Sequence, residues 1–308
     1  VYAHSLQLGG ATGAALLMLA GDLVRAGRCR RVLVVAGENR LSGQARDSAI
    51  QTLAQVGDAE MEVPNGASVP AYYALLAARY LHETGTTEAD LAELAVLMRR
   101  HAQAHPGAQL RGPLSVADVL ASKPIATPLK LADCCPISDG AAALLVTAEP
   151  GAGPRVQLRG AGQAHWQQHL SAMSSVLACG AADAAGRALA EAGVALAQIG
   201  HLAIYDSFTI TLAMLLEEIG LAPRGGSAAM VRAGAFSAQG ALPLNLHGGL
   251  LSYGHCGVAG GMAHAVEAVL QLGGRAGARQ ARAATHALVH ADGGVMSSHV
   301  SLVLSREA

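Results

Sequence analysis

The chain has 308 residues, of which 52% are hydrophobic and only 14% charged, with a net charge of −1. That length exceeds the ~100–200 residues of a typical single domain, and the apolar share excludes a disordered chain, because there is ample surface to bury against the entropy of folding. Near-neutral charge and an aromatic share of 3% leave neither a basic stripe nor a stacking platform, so nucleic acid is excluded as a partner.

The chain opens at Val1 in what reads as a strand. Next comes a glycine-rich turn, Leu6-Gln7-Leu8-Gly9-Gly10-Ala11-Thr12-Gly13. An apolar helix follows over residues 14–24 and stops near Gly27. Asp22 interrupts its apolar run, and no stretch reaches the ~20 residues of a membrane span. Residues 31–37 are short, apolar and β-branched, which predicts a strand buried on both faces. Residues 43–125 differ: helical stretches such as 73–80 and 90–101 sit between loops rich in Pro and Gly, with the short motif 116–120 near the end, and they predict an insertion on an α/β layer. The α/β character returns at 138–146. The breakers of Glu149-Pro150-Gly151-Ala152-Gly153-Pro154 then predict a linker between halves 1–150 and 155–308.

The second half repeats the first. A glycine-rich turn from Gly257 enters a helix that ends near Gly273; a strand at 286–290, the pair Gly293 and Gly294, and a strand at 300–304 follow. Two similar α/β halves are predicted, with glycine-rich helix starts facing one site. Helix N-termini offer unpaired N–H donors and a positive dipole end, which suit an enolate or a tetrahedral oxyanion. Gly9-Gly10 is not a nucleotide loop, because the Gly-x-Gly-x-x-Gly spacing is absent and no phosphate-binding Lys follows. Five cysteines (29, 134, 135, 179 and 256) show neither zinc-ligand spacing nor an even disulfide set, which predicts a reducing, cytoplasmic setting and no metal.

Four ordered motifs carry a family resemblance. Asn245-Leu246-His247-Gly248-Gly249, continuing to Gly254-His255-Cys256-Gly257, resembles the Asn-x-x-Gly-Gly…Gly-His-Pro-x-Gly signature of the thiolase superfamily. Gly37-Glu38-Asn39-Arg40-Leu41-Ser42, Ser138-Asp139-Gly140-Ala141-Ala142 and Ile204-Tyr205-Asp206-Ser207-Phe208 resemble three more of its segments, in the right order. The likeness runs from about Leu6 to the C-terminus and is strongest to the sterol-carrier, lipid-transfer branch. It implies two similar halves in a layered α/β/α/β/α fold, with a helical loop insertion in the first half. It also implies a thiolase-type chain lacking its first α/β unit, since that unit has no counterpart before Val1.

Two departures bear on mechanism. The nucleophilic cysteine of the family falls at Gly10, so no acyl-enzyme forms through that position. The second family cysteine falls at or near His290. The Cys-less pattern resembles the steroid side-chain aldolases, which cleave a β-hydroxyacyl-CoA by retro-aldol chemistry with tyrosines as acid/base groups. Carried over, the catalytic candidates are His255, Tyr253, Tyr205 and His290, and the substrate-binding candidates are Gly10, Asn245, His247 and Gly294. A tyrosine titrates near 10, so as a base it needs a neighbour such as His255 or His290 to lower it. The resemblance implies no cofactor beyond the CoA of the substrate, a homodimer, and a small OB-fold acyl-CoA-binding partner. Acyl transfer of the acetyl-CoA acetyltransferase kind and a non-catalytic acyl-CoA- or lipid-binding subunit are the alternatives.

Plainer roles stand beside these. Tyr205 also reads as a buried strand tyrosine with a satisfied hydroxyl, Tyr253 as packing under its turn, and His255 as a helix-entry cap. His247 also reads as a polar turn residue. Cys256 is a poor relocated nucleophile, because the family Pro it replaces is a helix-entry residue with no reacting role. Cys134 and Cys135 read as small core residues. His101, His105, His165 and His169 match no ligand motif and read as surface or loop residues.

Overall fold

The computed structural model describes residues 3–43, 56–149, 155–282 and 284–307. The first turn is built by Thr12, whose Oγ1 accepts the Leu8 N–H at 2.8 Å and donates to the Gly9 carbonyl at 2.7 Å. From it runs α1 (Thr12–Arg25), whose buried side is made of Ala14, Ala15, Leu17 and Ala20. The chain start, which the sequence suggested as a strand, shows no strand over the described residues 3–7.

β1 (Arg31–Asn39) pairs antiparallel with β4 (Asp139–Thr147), Val34 opposite Leu144. Val34 and Ala36 face inward, but Leu33, Val35 and Leu145 are 64%, 58% and 59% exposed. The run expected to be buried on both faces is therefore covered on one among the described residues. Period-two alternation, not a continuous apolar run, governs what this pair buries.

Among the described residues, three α-helices and a short hairpin lie between β1 and β4. α2 (Val69–Thr84) turns Tyr72, Tyr73, Leu76, Ala77 and Tyr80 inward at helical spacing. Thr87 and Asp90 form a capping box at the start of α3 (Glu88–Ala102), and Ser115 and Asp118 do the same for α4 (Val116–Ala121). β2 (Pro124–Ala126) and β3 (Leu129–Lys130) form the hairpin.

The second half supplies β5 (Val156–Ala164), α5 (Ala181–Ala192), β6 (His201–Ile204), α6 (Thr209–Glu218), α7 (Ser227–Arg232), α8 (Gly260–Leu272), β7 (His286–Gly293) and β8 (Ser298–Arg306). Its sheet has the order β5-β8-β7-β6, with only β6–β7 parallel. α5 packs on β5 so closely that a Cβ at Gly160 or Gly162 would run into the Ala188 or Ala184 carbonyl. The carboxylate of Glu218 caps the start of α5, accepting the N–H groups of Cys179, Gly180 and Ala181.

α1 and α8 lie between the two sheets and share one core with the inward residues of β1, β7 and β8. At Gly13 a Cβ would strike Met262 of α8, which shows how near the two helices pass. α2, α3 and α6 build a second core with α5. Among the described residues the layers are thus sheet, helices, sheet, helices. No described helix is long and apolar enough to cross a membrane.

Candidate active site

The glycine-rich starts of α1 and α8 meet. Gly261 lies against the Gly10 carbonyl with no room for a Cβ. At Gly10 a Cβ would lie 2.5 Å from the Asp292 carbonyl oxygen, and closer still to Oη and Cζ of Tyr205. The tyrosine hydroxyl therefore borders the space that a side chain at position 10 would claim. Gly294, left-handed at φ 72°, brings its N–H against Gly9 from the other side.

Tyr205 stands just past β6, its N–H donating to the His290 carbonyl at 2.9 Å. Its Oη lies 2.8 Å from His255 Nε2. Gly257 N–H donates to His255 Nδ1 at 3.1 Å. Nδ1 is therefore an acceptor, the imidazole proton sits on Nε2, and Nε2–H donates to Tyr205, leaving the tyrosine's own proton free to be given elsewhere. Burial, with Arg40 nearby, lowers His255 to about 4, so the ring is neutral at physiological pH.

The quoted motifs converge on this pair. The Ser138 hydroxyl accepts His255 N–H at 2.9 Å, and Ser138 N–H donates back to the His255 carbonyl. Asp139 accepts the N–H groups of Leu41 and Ser42, and Glu38 accepts that of Val258 at 2.7 Å.

Tyr253 closes the five-residue π turn Gly249–Tyr253 and stands edge-on to His247 and His105, with ring centroids 5.3 and 4.7 Å away. Tyr253, His247 and His105 line a cavity of about 490 Å³ whose other walls include Ala141, Ala263 and Leu270.

Several sequence expectations are corrected. Tyr205 was expected to be lowered by a neighbour; burial and the Asp292 carboxyl instead raise it well above its ordinary value, which suits a proton donor. His290 does not join Tyr205 and His255 through its side chain. It is fully buried in β7, bonded through Nδ1 to Ser301 and through Nε2 to His299, and only its carbonyl supports Tyr205. Asn245, a substrate-binding candidate, is buried in the left-handed region at φ 45° with its amide bonded both ways to the Ile204 backbone, so it fastens the 245–257 segment to β6. Burial raises the Cys256 thiol, in keeping with its reading as a poor nucleophile. His101, read as a surface residue, is buried in α3.

Sequence reasoning missed two pairs. Asp206 and His264, both fully buried, meet at 3.3 Å between Oδ1 and Nε2. Asp206 also accepts the N–H groups of Leu250 and Leu251, setting the π turn that carries Tyr253. Tyr73 donates to Asp292 at 3.1 Å and stacks on Phe208, with centroids 4.3 Å apart. His264 follows Asp206 by 58 positions and Asp292 follows Tyr73 by 219, so no local spacing marks either pair. Among the described residues no group of three His, Cys, Asp or Glu side chains is placed to hold a metal ion.

Two glycine-started helices between two sheets, with a His-Tyr pair at their meeting point, define a thiolase-like fold without a thiol at its first nucleophile position. The family description "Thiolase C-terminal domain-like" fits residues 162–306. The chain is 30% identical over 301 residues to an acetyl-CoA acetyltransferase of Methanothermobacter thermautotrophicus, covering 94% of this chain and 77% of the relative. It is 31% identical over 322 residues to a 17-hydroxy-3-oxo-4-pregnene-20-carboxyl-CoA lyase of Mycobacterium tuberculosis, covering 96% and 80%. The solved Ltp2-ChsH2(DUF35) aldolase superposes with a TM-score of 0.83 at 30% identity, over 97% of this chain and 78% of that one. The protein belongs to the thiolase superfamily, in its sterol-carrier-type branch.

Proposed function

We propose that the protein cleaves or forms a C–C bond in an acyl-CoA thioester by retro-aldol chemistry on a β-hydroxyacyl-CoA, through an enolate and without a cysteine nucleophile. The observation that carries this reading is Tyr205 Oη, set against side-chain-less Gly10 and held by His255 Nε2 at 2.8 Å. The β-hydroxyl gives up its proton on the Tyr253–His247 side of the cavity as the Cα–Cβ bond breaks. The electron pair becomes the thioester enolate beside the starts of α1 and α8, whose N–H groups and dipole ends favour negative charge. Tyr205 then delivers its proton to Cα, giving a shorter acyl-CoA and a ketone or aldehyde.

This chemistry calls for no cofactor beyond the CoA of the substrate. The likeness to the Ltp2-ChsH2(DUF35) aldolase supports a DUF35-type partner subunit for this chain. The test is mass spectrometry of products from a panel of β-hydroxyacyl- and β-ketoacyl-CoAs. Shorter acyl-CoA from the hydroxy compounds, reduced ~10²–10⁴-fold in Tyr205→Phe, supports the proposal. Thiolysis of the keto compounds alone refutes it.

A further inference from the structure

On the retro-aldol reading, each turnover moves a proton in one direction only. The hydroxyl proton leaves toward Tyr253 and His247, the Cα–Cβ electron pair becomes the enolate, and Tyr205 gives its phenolic proton to Cα. Afterwards Tyr205 is one proton short and the Tyr253 side is one proton rich. Tyr205 is only 5% exposed, so bulk water does not restore it directly.

A row of buried rings spans the gap. From Tyr253 the centroids step 5.3 Å to His247, 5.0 Å to His264 and 6.2 Å to Tyr205. His247 is 2% and His264 0% exposed. Neither nitrogen of His247 has a hydrogen-bond partner among the described residues, nor does Nδ1 of His264, and ring nitrogens so buried ordinarily have one. His264 Nε2 faces Asp206, whose carboxyl is fixed by the π turn. Burial holds His247 well below its usual range, so it is a neutral ring with a lone pair to accept a proton. The rings standing against it are Tyr253 and His264, and the cationic forms of His264, His105, Arg279 and His201 further disfavour charge on it.

We propose that His247 and His264, with Asp206 behind His264, form a relay that returns the proton from the Tyr253 edge of the cavity to Tyr205 after each turnover. The relay forms no covalent bond. One proton passes along it per cycle and none is lost to solvent. His264, which does not line the cavity, is thus a transfer residue that need not touch the acyl group, and His247 passes to it the proton taken up at the cavity wall.

Rapid-quench product formation with a β-hydroxyacyl-CoA cleaved by the wild type tests this. In His264→Ala and His264→Gln the first turnover should stay within about threefold of wild type while later turnovers slow ~100-fold, so product appears as a burst of one equivalent per site. Added imidazole should restore the steady phase of His264→Ala. A merely structural role would slow all turnovers alike, and that result, or unchanged kinetics in both variants, overturns the relay. Should His264→Ala fail to fold, as judged by its thermal transition, His264→Gln alone gives the same readout, because an amide there keeps a donor toward Asp206. If the wild type cleaves no β-hydroxyacyl-CoA, the retro-aldol reading falls and takes the relay with it; cleavage without a burst in the variants overturns the relay alone.

Discussion

Gly10→Ala is the sharpest perturbation the structure offers. The added methyl would lie 2.5 Å from the Asp292 carbonyl oxygen, where ordinary contact begins near 3.4 Å, and nearer still to the Tyr205 hydroxyl. The carbonyl cannot retreat, because β7 is paired on one side with β6 and on the other with β8, Asp292 opposite His299. Tyr205 must therefore move, breaking its 2.8 Å bond to His255. Overpacking of this kind costs about 1–3 kcal/mol of stability. A displacement of about 1 Å at a reacting group costs about 10²-fold in rate. Urea unfolding and kcat/KM for β-hydroxyacyl-CoA cleavage check both. Tyr205→Phe on the Gly10→Ala background should recover little stability, since Cζ and the carbonyl still crowd the methyl. Wild-type stability and turnover in Gly10→Ala, or a stable acyl adduct at position 10 in Gly10→Cys, would refute the reasoning.

Three further outcomes are expected. Glu218→Ala removes the carboxylate that caps α5 through the Cys179, Gly180 and Ala181 N–H groups, and should cost about 2–3 kcal/mol in chemical unfolding; a loss under about 0.5 kcal/mol would mean the cap is idle. His101, His201 and His299 are each lowered to about 4 by burial, so between pH ~6.5 and ~4 the unfolded chain binds more protons than the folded one and stability falls with pH in that window, by up to about 3 kcal/mol per histidine. Unfolding midpoints from pH 7 to 5 should decline less steeply in His201→Phe, and an unchanged slope would count against this account. Cys256→Ser should keep cleavage within about threefold, because burial raises this thiol away from the thiolate a nucleophile needs.

The two α/β halves with glycine-rich helix starts were legible from local signals, and their layering was legible through the family resemblance of four ordered motifs. Glycine-rich helix starts and β-branched runs act over a few positions, and they placed α1, α8, β1, β4, β7 and β8, while β2, β3, β5 and β6 went unread. The open outer face of β1 was not legible, since an apolar run looks the same whether one or both of its faces are covered. Within the site, Tyr205 and His255 were nameable from their motifs, and their contact required the fold. His290 and Asn245 show the opposite failure, because a motif position does not reveal whether its side chain points at the substrate or fastens two strands. Asp206 with His264, and Tyr73 with Asp292, were invisible because each pair joins elements far apart in sequence whose orientation is set by packing.

Acyl transfer and aldol chemistry on this scaffold separate on one physical property, the availability of a thiolate. Cys134 is pushed up to about 12 by burial, and Cys135, Cys179 and Cys256 are raised by the same cause. Cys179 moreover gives its proton to the Glu218 carboxylate at 2.8 Å, a contact that favours the thiol form. None of these four sulfurs occupies the Gly10 position, which Tyr205 closes to any side chain. What the site does present is a phenol with a free proton, held by a neutral imidazole donor and ringed by groups whose burial opposes charge. A buried phenol of this kind delivers a proton to a carbanion far more readily than it attacks a thioester. The arrangement thus favours quenching an enolate over forming an acyl-enzyme, and a retained acyl adduct on any cysteine during turnover would show that this ordering is wrong.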